Sequence, residues 1–122
     1  LFETALEEGE LVLRVAFPIV RKAAYQKFPN PASRYAVVGV FVALGADGAR
    51  VAVTGAGPCV FRADAMEQAL NETFNASQIS DITVAEDGLN TDIHASAGYR
   101  AHLIGVLARR AIDAANGEET GQ

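Results

Sequence analysis

The hydrophobic period of this chain changes once, and the change falls at Gly57-Pro58. Ahead of that dipeptide, apolar residues recur at about every second position, the spacing that sends alternate side chains to opposite faces of a strand. Behind it they recur at about every 3.6 residues, the spacing of a helical stripe. Strands followed by helices, without the alternation that builds parallel sheets, leave few architectures. The expectation is an α+β fold, an antiparallel sheet of three to four strands with about three helices packed on one face. With 122 residues, 50% of them hydrophobic, the chain has material for one such core.

Residues 10–17 place Leu11, Leu13, Val15 and Phe17 on one side, and Pro18 closes the run, so a strand is expected there. A second is expected over residues 23–28, ended by Pro29-Asn30-Pro31 because neither proline donates to a ladder. A third covers residues 35–44 and turns through Gly45-Ala46-Asp47-Gly48 into residues 50–54, an antiparallel hairpin. Both faces of this third strand are apolar: Ala36, Val38, Val40, Val42 and Leu44 on one, Tyr35, Val37, Gly39, Phe41 and Ala43 on the other. Helices gathered on one side cover one face. The other needs a cover from outside the chain, unless the helices cross to both sides.

Beyond the change of period, Ala63, Met66, Ala69, Leu70, Thr73 and Phe74 form one stripe, and Asp64, Glu67, Gln68, Asn71 and Glu72 the opposite one. A shorter helix is expected over residues 77–85, capped by Ser77 with Ile79 and Ile82 inward. The last helix runs from about Ser96 to about Ala115 and stops at Asn116-Gly117.

Several function classes fall away on composition. A formal net charge of -5 disfavours a nucleic-acid backbone as partner. No apolar run is long enough for a membrane span. Cys59 is the only cysteine, which excludes an internal disulfide and a self-contained iron–sulfur cluster and fits a reducing compartment. Gly55-Ala56-Gly57-Pro58 has the look of an anion-binding turn, but it lacks Gly-Lys-Ser/Thr and Pro58 removes a donor, so a plain strand-to-helix turn is expected. His102 falls opposite the apolar stripe of the last helix, and His94 follows Asp92 at a spacing open to an acid–base pair or to a structural role.

Arg100 is the anomaly. At about 100° per residue it points into the stripe of Ile104, Leu107 and Ala111, near the end of the helix that repels a cation. It therefore needs a carboxylate or backbone acceptors, and Asp81 or Asp92 on the approach could supply one. Lys22, Lys27 and Arg34 are the basic concentration around residues 29–33, either a solvated hairpin end or a surface toward an anionic cofactor held elsewhere. Asn71-Glu72-Thr73 and Asn75-Ala76-Ser77 match the glycosylation pattern, and the first falls within a predicted helix.

The stretches YQKFPNPASRYAVVGVFVAL, RVAVTGAGP and above all TDIHASAGYRAHLIGVLARRAI resemble the C-terminal domain of the FAD-binding medium subunit of molybdenum hydroxylases, the carbon monoxide dehydrogenase flavoprotein family, with its counterpart in xanthine dehydrogenases. The resemblance covers nearly the whole chain, from the leading strand at residues 10–17 to about Ile112, and residues 95–100 are its most specific piece. It implies an oxidoreductase subunit that passes electrons from a molybdenum centre, through iron–sulfur clusters, to an acceptor by way of FAD. The implied partners are an upstream FAD-binding region, a molybdenum-binding large subunit and an iron–sulfur small subunit, in the cytoplasm. The implied division is a linker over residues 1–9, one α+β domain over 10–115, and a flexible polar tail over 116–122. By position in the family pattern, Lys27, Ser33 and Arg34 would lie on the cofactor side, while Tyr99 and Arg100, with Asp92, would be architectural. Two positions depart from that pattern: Arg34 stands where many members have aspartate, and Gly98 where glutamate is common. The chain by itself is expected to bind no FAD and to catalyse nothing. The alternatives are a free-standing interaction or dimerisation module of the same fold, and a small hydrolase using Asp92 and His94.

Overall fold

A computed structural model describes residues 4–117. Four strands, β1 (Lys22–Pro29), β2 (Ala36–Gly45), β3 (Gly48–Thr54) and β4 (Phe61–Arg62), precede two α-helices, α1 (Asp64–Glu72) and α2 (Ala97–Asn116), with a short 3-10 turn at Ala76–Ile79 between them. The strands form one antiparallel sheet in the order β1-β2-β3-β4.

The alternation read from the sequence sets the register. Val42 pairs with Ala24 and Val51, and Val40 with Gln26 and Val53, so these valines point to one face. There they are fully buried under Met66 and Leu70 of α1, Ile79 of the 3-10 turn, and Leu103, Ile104, Leu107, Ala108, Ala111 and Ile112 of α2. Helix α2 lies over β1 and β2, and α1 over β3. Each fully buried aliphatic side chain contributes about 1.5–3 kcal/mol relative to exposure, so this single interface between helices and sheet carries the domain.

The β2–β3 hairpin closes on the pair Gly45 and Gly48. Gly48 has φ 98, the left-handed region that glycine enters freely. Asn71 of α1 reaches across to accept the Ala49 N–H at 2.7 Å, which ties the hairpin to the helix. Helix α2 starts at Ser96, whose hydroxyl accepts the Tyr99 N–H, and stops at Gly117 with φ 79.

Four expectations need correction. Residues 10–17 join no strand, and Leu11, Leu13, Val15 and Phe17 are exposed, because alternation makes a strand only where another backbone pairs with it. The helix expected over residues 77–85 is only the 3-10 turn, capped by Asn75 rather than Ser77, so two α-helices stand where about three were expected. Its Ser80, Asp81, Thr83 and Val84 are residues that compete with the helix backbone or lose rotamer freedom in it. Glu67, placed on the solvent stripe, is buried: it accepts the Val51 N–H at 2.9 Å and pairs with Arg62 through both oxygens. Among the described residues β3 has no further strand beyond β4, and the Glu67 carboxylate takes the place of a ladder acceptor. Finally, Asn116 is no tail residue: it ends α2 and bonds both Lys22 and the Phe74 carbonyl. Residues 118–122 of the expected tail and residues 1–3 of the expected linker lie outside the described residues.

The face of the sheet away from the helices is only partly covered. Tyr25 lies across Gly39 to bring its hydroxyl 3.4 Å from that of Thr54, and a Cβ at Gly39 would stand 2.1 Å from the tyrosine oxygen. Tyr25 and Phe41 are nevertheless 46% and 40% exposed. Both helices sit on the opposite face, yet of the residues on the second face of β2 Val37 and Ala43 are buried, Ala43 beside Pro18, Ile19 and Val20, while Phe41, and Tyr35 just ahead of the strand, stay exposed.

Candidate functional site

One end of the sheet gathers the residues singled out above. The β1–β2 loop, residues 30–35, meets the turn after β3 at Gly55 and the approach to α2 at residues 90–96. Between them lies an open cleft of about 220 Å³ lined by Asn30, Ser33, Tyr35, Gly55, Asp92, His94 and Arg100.

Arg100 organises the cleft floor. It is 3% exposed. One terminal nitrogen donates to the carbonyls of Val37 at 2.5 Å and Gly55 at 3.2 Å, and the other to the Asp92 carboxylate at 2.7 Å. The reach depends on two backbone features. Between Phe28 and Pro29 the ladder slips so that Val37 is skipped, a bulge whose carbonyl meets the guanidinium. Gly55 has φ 75, and a Cβ there would lie 2.4 Å from the Ala36 carbonyl oxygen. No other residue type fits so close an approach. Asp92, one of the two candidate carboxylates, is the partner; Asp81 is not.

Asp92 holds its other oxygen on the backbone N–H groups of His94 at 2.9 Å and Ala95 at 3.1 Å. These bonds, the His94 N–H first, hold its carboxyl below the usual range, with Ala95 and Arg100 acting in the same direction. The imidazole of His94 faces elsewhere: its Nδ1 lies 3.2 Å from the side-chain nitrogen of Asn30 and so acts as acceptor. Asp92 therefore binds the backbone of His94 and not its ring. The acid–base pair needed for a hydrolase is not formed.

Asn30, missed in the sequence, is the hinge of the β1–β2 loop. Its carboxamide oxygen accepts the N–H groups of Ala32 and Ser33 at 2.9 and 3.2 Å, and its backbone N–H donates to Tyr35 at 2.7 Å. Asn-Pro in a turn was the available signal, since asparagine folds its side chain onto the backbone two residues on. The loop holds Arg34 at φ 64, the only described non-glycine residue at positive φ. Such a backbone costs about 1–3 kcal/mol and persists where its surroundings hold it. Here Lys27 Nζ grips the Arg34 carbonyl at 3.0 Å.

Of the expected cofactor-side residues, Ser33 lines the cleft, while Lys27 and Arg34 are joined to each other and are not part of its lining. Tyr99 packs its ring edge-on against Phe28, centroids 6.2 Å apart. His102 is exposed, as its place on the helix requires. The glycine turn at residues 55–58 leads into β4 rather than a helix, and its carbonyls serve Arg100 and Asn90, so it makes no anion cradle. Asn71 and Asn75, in the two glycosylation patterns, both spend their side-chain oxygen on backbone N–H groups. Among the described residues no group of three or more His, Cys, Asp or Glu side chains could hold a metal ion, and no helix is long and apolar enough to cross a membrane.

The sequence profile of the CO dehydrogenase flavoprotein C-terminal domain matches residues 23–115, from the second residue of β1 to the last turn of α2. The chain belongs to that family. Solved structures agree in fold. CO dehydrogenase from Hydrogenophaga pseudoflava, in a form lacking the Mo-pyranopterin moiety of its cofactor, is similar with 26% identity and a TM-score of 0.61, over 84% of this chain and 39% of that one. Reconstituted CO dehydrogenase from Oligotropha carboxidovorans gives 22% identity and 0.61, over 80% and 37%. Quinoline 2-oxidoreductase from Pseudomonas putida 86 gives 22% and 0.61, over 80% and 38%. No curated protein matches the chain. This flavoprotein-family domain thus spans well under half the length of the solved chains it resembles.

Proposed function

We propose that this chain is the C-terminal domain of the FAD-binding subunit of a molybdenum hydroxylase, cytoplasmic, packed on an upstream FAD-binding region and supporting electron transfer to flavin from molybdenum and iron–sulfur partners. The family match over residues 23–115 carries the reading. The unfinished outer face of the sheet supports it, because a domain that leaves Tyr25 and Phe41 in water has a surface ready for a neighbour.

The residues fit a flavin nucleotide as one wall of its site. Ser33 offers a hydroxyl and Arg34 a guanidinium, on a loop whose shape Asn30 and Lys27 fix, and such donors suit phosphate oxygens or the carbonyl edge of a flavin ring. Bound FAD would supply the redox chemistry, taking up an electron pair and releasing it to an acceptor. The part played by this chain is to position and to bias. A fixed positive charge at Arg34 favours any increase of negative charge nearby, and Lys27 keeps that residue in its strained conformation. The domain alone is expected to catalyse nothing, which a rate measurement on the 122-residue chain checks.

The test is to express the complete subunit and measure its flavin. One FAD per subunit is expected, with the flavin reduction potential lowered in Arg34→Ala while the fold is kept. A complete subunit that binds no flavin sinks the reading and leaves the dimerisation module, which sedimentation would reveal.

A further inference from the structure

The segment ahead of β1 has an apolar side and no use for it. Leu11, Leu13, Val15 and Phe17 alternate as a strand would, yet all are exposed and the backbone joins no ladder. A row of that kind left in water marks an interaction surface more often than a finished one. Its exit from the domain is fixed. The Arg21 N–H donates to the Leu44 carbonyl at 2.8 Å and its guanidinium to that of Gly45 at 3.4 Å. Pro18, Ile19 and Val20 lie in a shallow recess beside Ala43 and Arg50, on the same outer face that carries Tyr25 and Phe41.

We propose that residues 10–17 form a β-strand in a sheet of the upstream part of the same polypeptide, which this strand seats against the outer face of β1 and β2. The occupant of that face is then a sheet with an open edge and one apolar side. The inference rests on the reading of the chain as the C-terminal part of a longer subunit. Two observations choose this occupant over a second copy. The match to the C-terminal domain begins at residue 23, so the arm lies ahead of that domain, on the side of whatever precedes it in the subunit. The similar solved chains are covered over only 37–39% of their length, and the remainder is where a partner sheet would reside. Strand addition of this kind satisfies backbone groups and buries alternate side chains in one step.

Hydrogen exchange at the amides of residues 11–17 tests it, in the complete subunit and in the 122-residue chain. Slowing by at least ~100-fold is expected in the complete subunit, with near-unfolded rates in the shorter chain. Fast exchange in both, or protection in the shorter chain through pairing with its own sheet or with another copy, overturns the proposal. In the complete subunit, Leu13→Asp with Val15→Asp should abolish the protection of the arm while the amides of residues 38–42 stay protected. Arg14→Asp, on the other side of the strand, should leave it. Arm protection that survives Leu13→Asp with Val15→Asp also overturns the proposal. Flavin content separates the two readings: a protected arm in a flavin-free subunit overturns only the proposed function, and an unprotected arm in a flavin-loaded one overturns only this inference.

Discussion

Arg100 shows what a buried charge does in a small domain. Its guanidinium is held by two carbonyls and one half-exposed carboxylate, and its Nε is buried without a partner. Removing the side chain would strand the Val37 carbonyl, leave the Gly55 carbonyl only the long 3.5 Å bond from Asn90, and open the floor of the cleft. Arg100→Ala is expected to cost about 2–4 kcal/mol in chemical denaturation, and Asp92→Ala less, because the carbonyls would still hold the cation. A loss for Arg100→Ala within ~0.5 kcal/mol, the range of an ordinary surface change, would show that the contacts are incidental. Glu67 gives the second prediction. The bond from Arg62 above all, with the Val51 N–H and Arg50 adding, holds its carboxyl below the usual range against the opposing effect of burial. A carboxylate depressed in the folded state stabilises fully above its unfolded value, and that stabilisation is lost as pH falls through the folded one. Stability should therefore drop below about pH 4, and the drop should be shallower in Glu67→Gln, measured as urea midpoints at neutral and acid pH. Equal acid slopes would remove Glu67 from the account. Of these residues Arg100 was legible in the sequence, because a charge in an apolar stripe is a local contradiction, and Asp92 was legible as one of its two candidate partners. Glu67 obeyed the solvent stripe, and its burial follows from a strand edge that only the folded sheet creates.

At the scale of elements, β1, β2, β3 and both α-helices were legible because each pairs a clear period with a stop: Pro29, the Gly45 to Gly48 turn, and Gly117. What failed were segments whose state depends on a partner or on competition. Residues 10–17 carry a strand period without a strand to pair with, and the run after Asn75 loses its helix to residues that bond or crowd the backbone. Helix α2 allows a direct test. Gly98 stands in its first turn, and a Cβ there would come within 2.9 Å of the Glu86 carboxylate, the free end of an exposed side chain. That end can swing away at the loss of a modest attraction to the helix N-terminus. Gly98→Ala should therefore still stabilise the domain, by about 0.5 kcal/mol after that loss, since alanine gives up less backbone freedom in a helix. A lower urea midpoint would mean that Glu86 cannot be displaced cheaply, and the same substitution in a Glu86→Ala background would then recover the gain.

The molecule as a whole is a two-layer domain with one finished face and one only partly covered, and its candidate site lies at the end of the sheet where both layers stop. That position explains a division of labour. The cleft floor is occupied by Arg100, whose charge is already balanced by Asp92, so the floor offers no net field to an anion. The free donors, Ser33 and Arg34, sit on the loop above it. A space of about 220 Å³, open on one side, is smaller than the roughly 300–1,000 Å³ of sites that enclose a ligand. A flavin placed there would keep most of its surface in water, and little of the cost of immobilising it would be recovered. The 122-residue chain alone is therefore expected to bind FAD no more tightly than millimolar, read by flavin fluorescence and calorimetry. Affinity should return only when the upstream region closes the other side of the site. Saturable micromolar binding by the chain alone, lost in Arg34→Ala, would overturn this division and make the β1–β2 loop a flavin site in its own right.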